Sequence, residues 1–424
     1  MSEKEGRKLD ILVSGAGIAG LTAAHFLLRA GHNVLLIERA PALRASGQNV
    51  DVRGHGLTVL QRMNTPQFNA ESAVRAKTTE EKGLRFVDAA DRPRAEFPVD
   101  DGTSFTGEIE IMRGDLALVL YESIKHMSGL KVEFGIKIEA IDQSNPEKVA
   151  VGLNGSWPSD KTLGTRKFDL VIAADGIMSS TRRLVFQEAA MNVVKPLSQW
   201  SCWFSIPWEE SDSAWARWYN APKGRMILIR PDSGNLTRVS LWTMTRDPEV
   251  ERSLTELLGS SMMAQKQYWV DLFQGAGWEA SRVLDGIDDA DDFYMQKIAQ
   301  VKMDSWSNDR VVLVGDAGYC PSPVSGMGVT TAMTGAYVLA GEINHAPENV
   351  QAACKAYEDK MRPFTNVAQK LAPGTPGAAN PETAWGIWLL YFFLGFVSST
   401  RLYKLFGSGI NPPSQAMKLP DYGI

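Results

Sequence analysis

The sequence predicts an α/β protein: a Rossmann-like nucleotide-binding domain, a mixed β-sheet domain inserted into it, and a C-terminal helix. Three observations carry this prediction. A strand, a GxGxxG turn and a helix follow one another from Asp10. Two later apolar strands, Phe168 to Ala173 and Val311 to Val314, run into turns that pair glycine with aspartate. Between them lie stretches of different texture, rich in tryptophan and strand-like runs, and near its end the chain has an apolar, aromatic segment.

With 424 residues and 44% hydrophobic content, the chain can bury a large core, as two or three domains or as one domain with a large insertion. The net charge of -5 is spread over interspersed acids and bases, and no nucleic-acid partner is expected. Cys202, Cys320 and Cys354 are too far apart in sequence for a disulfide scaffold or a clustered zinc site, so no metal is expected and the thiols are read as reduced, in a cytoplasmic protein. The polar stretch Met1 to Lys8 does not have the layout of a signal peptide.

Taken in order, Ile11 to Ser14 is a strand, and after the glycine turn a helix runs to about Arg29. Gly31 breaks it, and a second strand, Val34 to Ile37, ends at Glu38. Ala76 to Glu108 reads as a hairpin turning at Asp91-Arg92-Pro93. A helix begins near Asp115, with Leu116, Val119, Leu120 and Ile124 at helical spacing, and strands follow at Val132 to Phe134 and Ile136 to Ile141. Asn192 to Gln300 is the second sheet-like stretch; after Val311 to Val314 come a loop and a helix from Gly328 to about Ile343. The expected division is a nucleotide-binding domain over 1–75, 109–191 and 301–345, a substrate domain over 76–108 and 192–300, and a helical region over 346–424. Ala384 to Val397 carries Trp385, Trp388, Tyr391, Phe392, Phe393 and Phe396. It is short for a membrane span and is expected as a helix buried on most sides; peripheral membrane contact, or an entrance for a greasy substrate, is the second reading.

The glycines at 15, 17 and 20 have distinct physical tasks. The first permits the tight turn, the second lets the backbone approach a pyrophosphate, and the third lets helix and strand pack closely. The helix N-terminus then offers free N–H groups and the positive end of its dipole to the phosphates. Glu38 is placed to accept from ribose hydroxyls. The fingerprint leaves NAD and FAD both open.

Asp169 to Gly176, followed by Ser179 and Arg182, and Gly315-Asp316-Ala317, followed by Pro323, Gly326 and Gly328, decide between them. With the helix head Arg113-Gly114-Asp115-Leu116, they resemble the motifs of class A FAD-dependent monooxygenases in order and spacing, from about residue 10 to 345. Within that family the pattern is most similar to tetracycline-inactivating and natural-product hydroxylases. Independently of the resemblance, Asp316 falls at a strand's C-terminal end, where an open α/β sheet places its ligand crevice, and can accept from a ribityl chain. The helix after Gly328 is expected to aim its N-terminus at the flavin, favouring the negative charge of the reduced ring.

The resemblance implies non-covalent FAD as resident cofactor, with NADPH or NADH as a transient donor. It implies that an aromatic or polycyclic substrate is hydroxylated with O2 through a C4a-hydroperoxyflavin. Epoxidation and Baeyer-Villiger insertion share that intermediate. Cys202 to Pro207 has a slight likeness to a flavin-dependent halogenase signature, and a non-catalytic flavin carrier is the alternative of another class. By resemblance, Pro323 and Gly326 lie where oxygen adds, Arg113 contacts the cofactor, and Asp175 serves flavin and nicotinamide. Arg39 and Asp51 are further candidates for flavin contact. Trp203, Trp218, Met226 and Leu228 are the candidate substrate residues, with Trp200, Phe204, Trp215, Tyr219 and Arg230 beside them. Where many members of the family carry histidine, asparagine and aspartate, this chain has Tyr319, Thr330 and Gly335, which are expected to be structural or to reach the cofactor only through neighbouring residues.

Overall fold

The computed structural model describes residues 7–44, 47–79, 81–99, 109–155, 162–232, 235–401 and 413–424. Most of the polar N-terminus and, within the expected insertion 76–108, residues 80 and 100–108 lie outside the described residues. Short apolar runs stopped by glycine or a polar turn become buried parallel strands. They stand in the order Val311–Leu313, Leu170–Ala173, Asp10–Ser14 and Asn33–Glu38, with the half-exposed Leu130–Phe134 parallel at one edge and Ser307–Asn308 antiparallel at the other. Successive side chains go to opposite faces. Ile11, Val13, Val34 and Leu36 join the core formed with helices Ile18–Arg29 and Gly328–His345. Leu12, Leu35 and Ile37 join the core under a three-stranded antiparallel sheet, Ile136–Asp142, Val149–Gly155 and Thr162–Phe168.

The tryptophan-rich stretch forms a seven-stranded sheet in the order Tyr294–Val301, Val194–Pro207, Leu236–Met244, Arg225–Pro231, Ala216–Ala221, Gly83–Val87 and Pro93–Pro98. The last two strands are the hairpin, whose turn holds Asp91 at φ 57°. Ile227 and Ile229 of Arg225–Pro231 enter the core shared with helices Pro248–Leu257, Met262–Phe273 and Ala280–Ile287. Met226, Leu228 and Arg230, alternate on the same strand, turn to the other face and line a cavity.

The apolar C-terminal segment is the helix Ala384–Thr400, and it corrects one expectation. Only Tyr391 in it is buried. Its hydroxyl donates to Val87 O at 3.0 Å and accepts from Asn220 N at 2.9 Å, while Leu390, Leu394 and Val397 pack on the cluster of Phe86 and Phe97. Trp385, Trp388, Leu389, Phe392, Phe393 and Phe396 face outward. The helix lies against the outer hairpin of the sheet, which covers one side of it. Among the described residues, no helix is long and apolar enough to cross a membrane.

Candidate active site

The fingerprint turn has the geometry its glycines predict. Gly15 stands at φ +110°, and a Cβ there would lie 2.4 Å from Ala174 O; one on Gly20 would lie 1.9 Å from Gly15 O. Gly17 differs, because a Cβ would meet nothing within 4 Å and the residue lines the cavity. Helix Ile18–Arg29 starts with no side-chain cap and no acid in its first turn, leaving N–H groups for an anion. The Glu38 carboxylate accepts from Ala16 N and Ala40 N, each at 2.9 Å, which fixes it beside this turn.

The second loop meets the same cavity. Gly315, at φ 64°, turns the chain out of Val311–Leu313, and Asp316 follows at the cavity wall. Burial raises the Asp316 carboxyl above its ordinary range, opposed by the Arg113 guanidinium and a hydrogen bond from the Cys320 thiol. Arg113, the first residue of Arg113–Glu122, also lines the cavity. Pro323 and the left-handed Gly326 carry the loop to Gly328, where helix Gly328–His345 starts, again without side-chain cap or acid. A Cβ on Gly326 or Gly328 would meet nothing within 4 Å. Two open glycine cradles and two uncapped helix starts on one cavity fit a dinucleotide with a flavin.

Arg182 joins the two later motifs. Buried, it donates to Ala317 O and Ile177 O, each at 2.7 Å, bridging the loops after both apolar strands. Asp175 does not line this cavity; it accepts from Ser179 Oγ at 2.5 Å, Thr181 N at 3.1 Å and Thr181 Oγ1 at 2.9 Å, holding the start of helix Ser180–Phe186. Arg39 is exposed outside the cavity, whereas Asp51 lines it and pairs with Arg53 at 3.0 Å.

The cavity, about 830 Å³, continues onto the seven-stranded sheet. Trp203 stacks on Tyr294 with ring centroids 5.0 Å apart and planes 16° apart, and Trp242 meets Trp203 edge-on. Trp218, Met226 and Leu228 line the same wall, as does Phe204. Trp200, Trp215 and Tyr219 do not: Trp200 is core and donates to Glu251 at 2.7 Å, Arg85 lies over Trp215, and Tyr219 donates to Ala276 O at 2.9 Å.

These features match what comparison with known proteins finds. A family profile described as the FAD binding domain covers residues 8–371. The chain is 34% identical to the FAD-dependent monooxygenase asL6 of Sarocladium schorii, over 98% of both chains. It is 34% identical to the monooxygenase CTB7 of Cercospora beticola, over 97% of both. The chain belongs to the FAD-binding monooxygenase family. Its fold is similar to that of the tetracycline destructase Tet(51), with TM-score 0.75, 29% identity and coverage of 98% of this chain and 99% of that one. FAD is therefore the cofactor of this monooxygenase, and its enzyme class is oxidoreductase.

At the three positions read from the resemblance as departures, Tyr319 and Gly335 fit each other and Thr330 makes a hydrogen bond within the fold. A Cβ on Gly335 would stand 1.9 Å from the Tyr319 hydroxyl, so the large residue at 319 occupies the space of one at 335. Thr330 Oγ1 donates to Arg53 O at 3.1 Å, tying helix Gly328–His345 to the segment after Asn49–Val52.

Sequence reasoning missed a charged cluster beside the cavity. Arg230 binds Glu81 through Nε (2.9 Å) and Nη2 (3.0 Å), and Nη2 also meets Glu110 at 2.5 Å. Glu110 stands opposite Asp51 in the two-stranded sheet. Burial raises its carboxyl far above the usual range against the pull of Arg230, and Glu81 and Asp51 add to the rise. The alternation of 226, 228 and 230 pointed to the arginine, but nothing local pointed to its partners.

Proposed function

We propose that this FAD-dependent monooxygenase uses NAD(P)H and O2 to hydroxylate an aromatic or polycyclic small molecule. The observation that carries this reading is the continuity of one cavity from the glycine cradles to the wall of Trp203, Tyr294, Trp242 and Trp218. When bound, FAD takes electrons from the nicotinamide and delivers one oxygen atom from O2.

The chain's own residues bind, orient and exclude water. Gly17 and the helix start behind it would hold the pyrophosphate and Asp316 the ribityl hydroxyls, while Glu38, fixed beside the turn, would take the adenosine ribose. Arg113 and Asp51, which line the cavity, would contact the cofactor, and Pro323 and Gly326 belong to the loop that would face the flavin. The start of Gly328–His345 would favour negative charge on a reduced flavin bound there. The stacked Trp203 and Tyr294 orient a planar substrate, with Met226 and Leu228 filling its apolar surroundings. Apolar walls keep water from the reacting atoms. The resemblance of the tetracycline-inactivating relatives supports a polycyclic, oxygenated substrate.

The test is a panel of phenolic and polyketide-like compounds, followed by NADPH consumption and by mass analysis of products. Accelerated consumption with one added oxygen atom in the product is expected. Consumption that no compound stimulates would leave this reading without support.

A further inference from the structure

We infer that the outward face of helix Ala384–Thr400 is a docking surface for a lipid bilayer, on which the molecule sits with the mouth of its cavity toward the membrane. Trp385 is 69%, Phe392 64% and Phe393 60% exposed, and Trp388, Leu389 and Phe396 complete one ridge. No residue from 384 to 400 is charged. A ridge of this size has a cost in water that single exposed apolar residues elsewhere on the surface do not.

The chemistry of the ridge favours lipid. Five of those six side chains are Trp or Phe, the types that settle at the boundary between headgroups and acyl chains. The helix is pinned on its inner side by Tyr391 and by Ser398, which donates to Glu96 O at 2.7 Å. At 17 residues it is about 26 Å long, and so pinned it lies along an interface. Basic residues stand at both ends: Lys223, whose N–H donates to Glu382 O, and at the other end Arg401 and Arg94. Arg94 is 3.9 Å from Asp88, and Glu382 is the acid at the first end. Phe393 and Val397 also line the cavity, so the cavity reaches the surface at the ridge. A second copy seated there would cover that opening; a bilayer would feed it with apolar molecules.

The experiment uses the full FAD-loaded chain and flotation with vesicles of phosphatidylcholine alone or mixed with phosphatidylserine. Binding is expected to both, stronger with the anionic lipid. Trp388→Ser and Phe392→Ser, whose rings stack on each other outside the core, should weaken partitioning roughly tenfold each. Met263→Ser, 78% exposed on another helix, should leave it unchanged. Flavin content equal to that of the parent shows that each variant is folded. No flotation with either vesicle overturns the inference, as does a concentration-dependent dimer that the same substitutions abolish without any vesicle binding. Flotation is read without turnover, so its failure is distinct from failure of the hydroxylation reading.

Discussion

At the scale of single residues, the fingerprint glycines separate into two kinds with opposite consequences. Gly17 is extended, at φ -85° and ψ -177°, and a Cβ there has open space, so Gly17→Val should fold yet fill the place of the pyrophosphate. We expect a colourless protein with native circular dichroism; flavin content near that of the parent would show that this turn does not hold the cofactor. Gly15 could not be changed in the same way, because its positive φ and its contact with Ala174 O belong to the fold itself. Asp316 gives the complementary test. Removing the carboxylate in Asp316→Ala leaves ribityl hydroxyls without an acceptor, at a cost of about 1.5–3 kcal/mol, or roughly ten- to hundred-fold in FAD affinity. Titration of the apoprotein by flavin fluorescence measures this, and an unchanged dissociation constant would exclude Asp316 from the cofactor site.

At the scale of elements, what was legible followed from periodicity and punctuation. The strands around the parallel sheet, the helix after Gly17 and the helix from Gly328 were visible because their patterns are local. The partners of Arg230 were not, since Glu81 and Glu110 reach it from separate strands and loops. Nor was the outward face of Ala384–Thr400, because a segment apolar all round carries no sign of which side is covered. Packing between helices Ile18–Arg29 and Arg113–Glu122 yields a pH prediction. His25 is buried, its Nδ1 is 3.0 Å from Ser123 Oγ, and Nε2 has no partner. Desolvation, helped by Arg29, lowers its pKa from 6.5 to about 3. Between those values the unfolded chain binds a proton that the folded chain does not, so stability is full above about 6.5 and is lost as pH falls. The loss approaches 1.4 kcal/mol per pH unit, and the lowered pKa of His32 acts in the same direction. Urea midpoints measured from about pH 7 down to about pH 5 should fall, and less steeply in His25→Leu; equal slopes would exclude His25 as a source.

At the scale of the whole molecule, the loops that would hold FAD come from distant parts of the chain, so holding it should stabilise the entire fold. With free FAD at about one hundred times its dissociation constant, the folded state gains about 2.7 kcal/mol. Melting temperature should therefore rise with added FAD. Acid precipitation should release all of the flavin: Cys320 is the cysteine at the cavity, and burial together with the neighbouring Asp316 raises its thiol well above its ordinary range, far from a reactive thiolate. Flavin that stays with the pellet would contradict this.

The contact between Tyr319 and Gly335 constrains the routes by which this sequence can change. The Tyr319 hydroxyl shares a hydrogen bond with that of Tyr357 at 2.9 Å, and Trp306 lies against its ring at 4.4 Å, so the ring has little room to withdraw. Any side chain acquired at 335 before 319 has shrunk collides with that hydroxyl. The reverse order passes through a cavity, which costs stability but leaves the fold in place. A sequence that acquires a side chain at 335 must therefore change 319 first, or change both positions in one step.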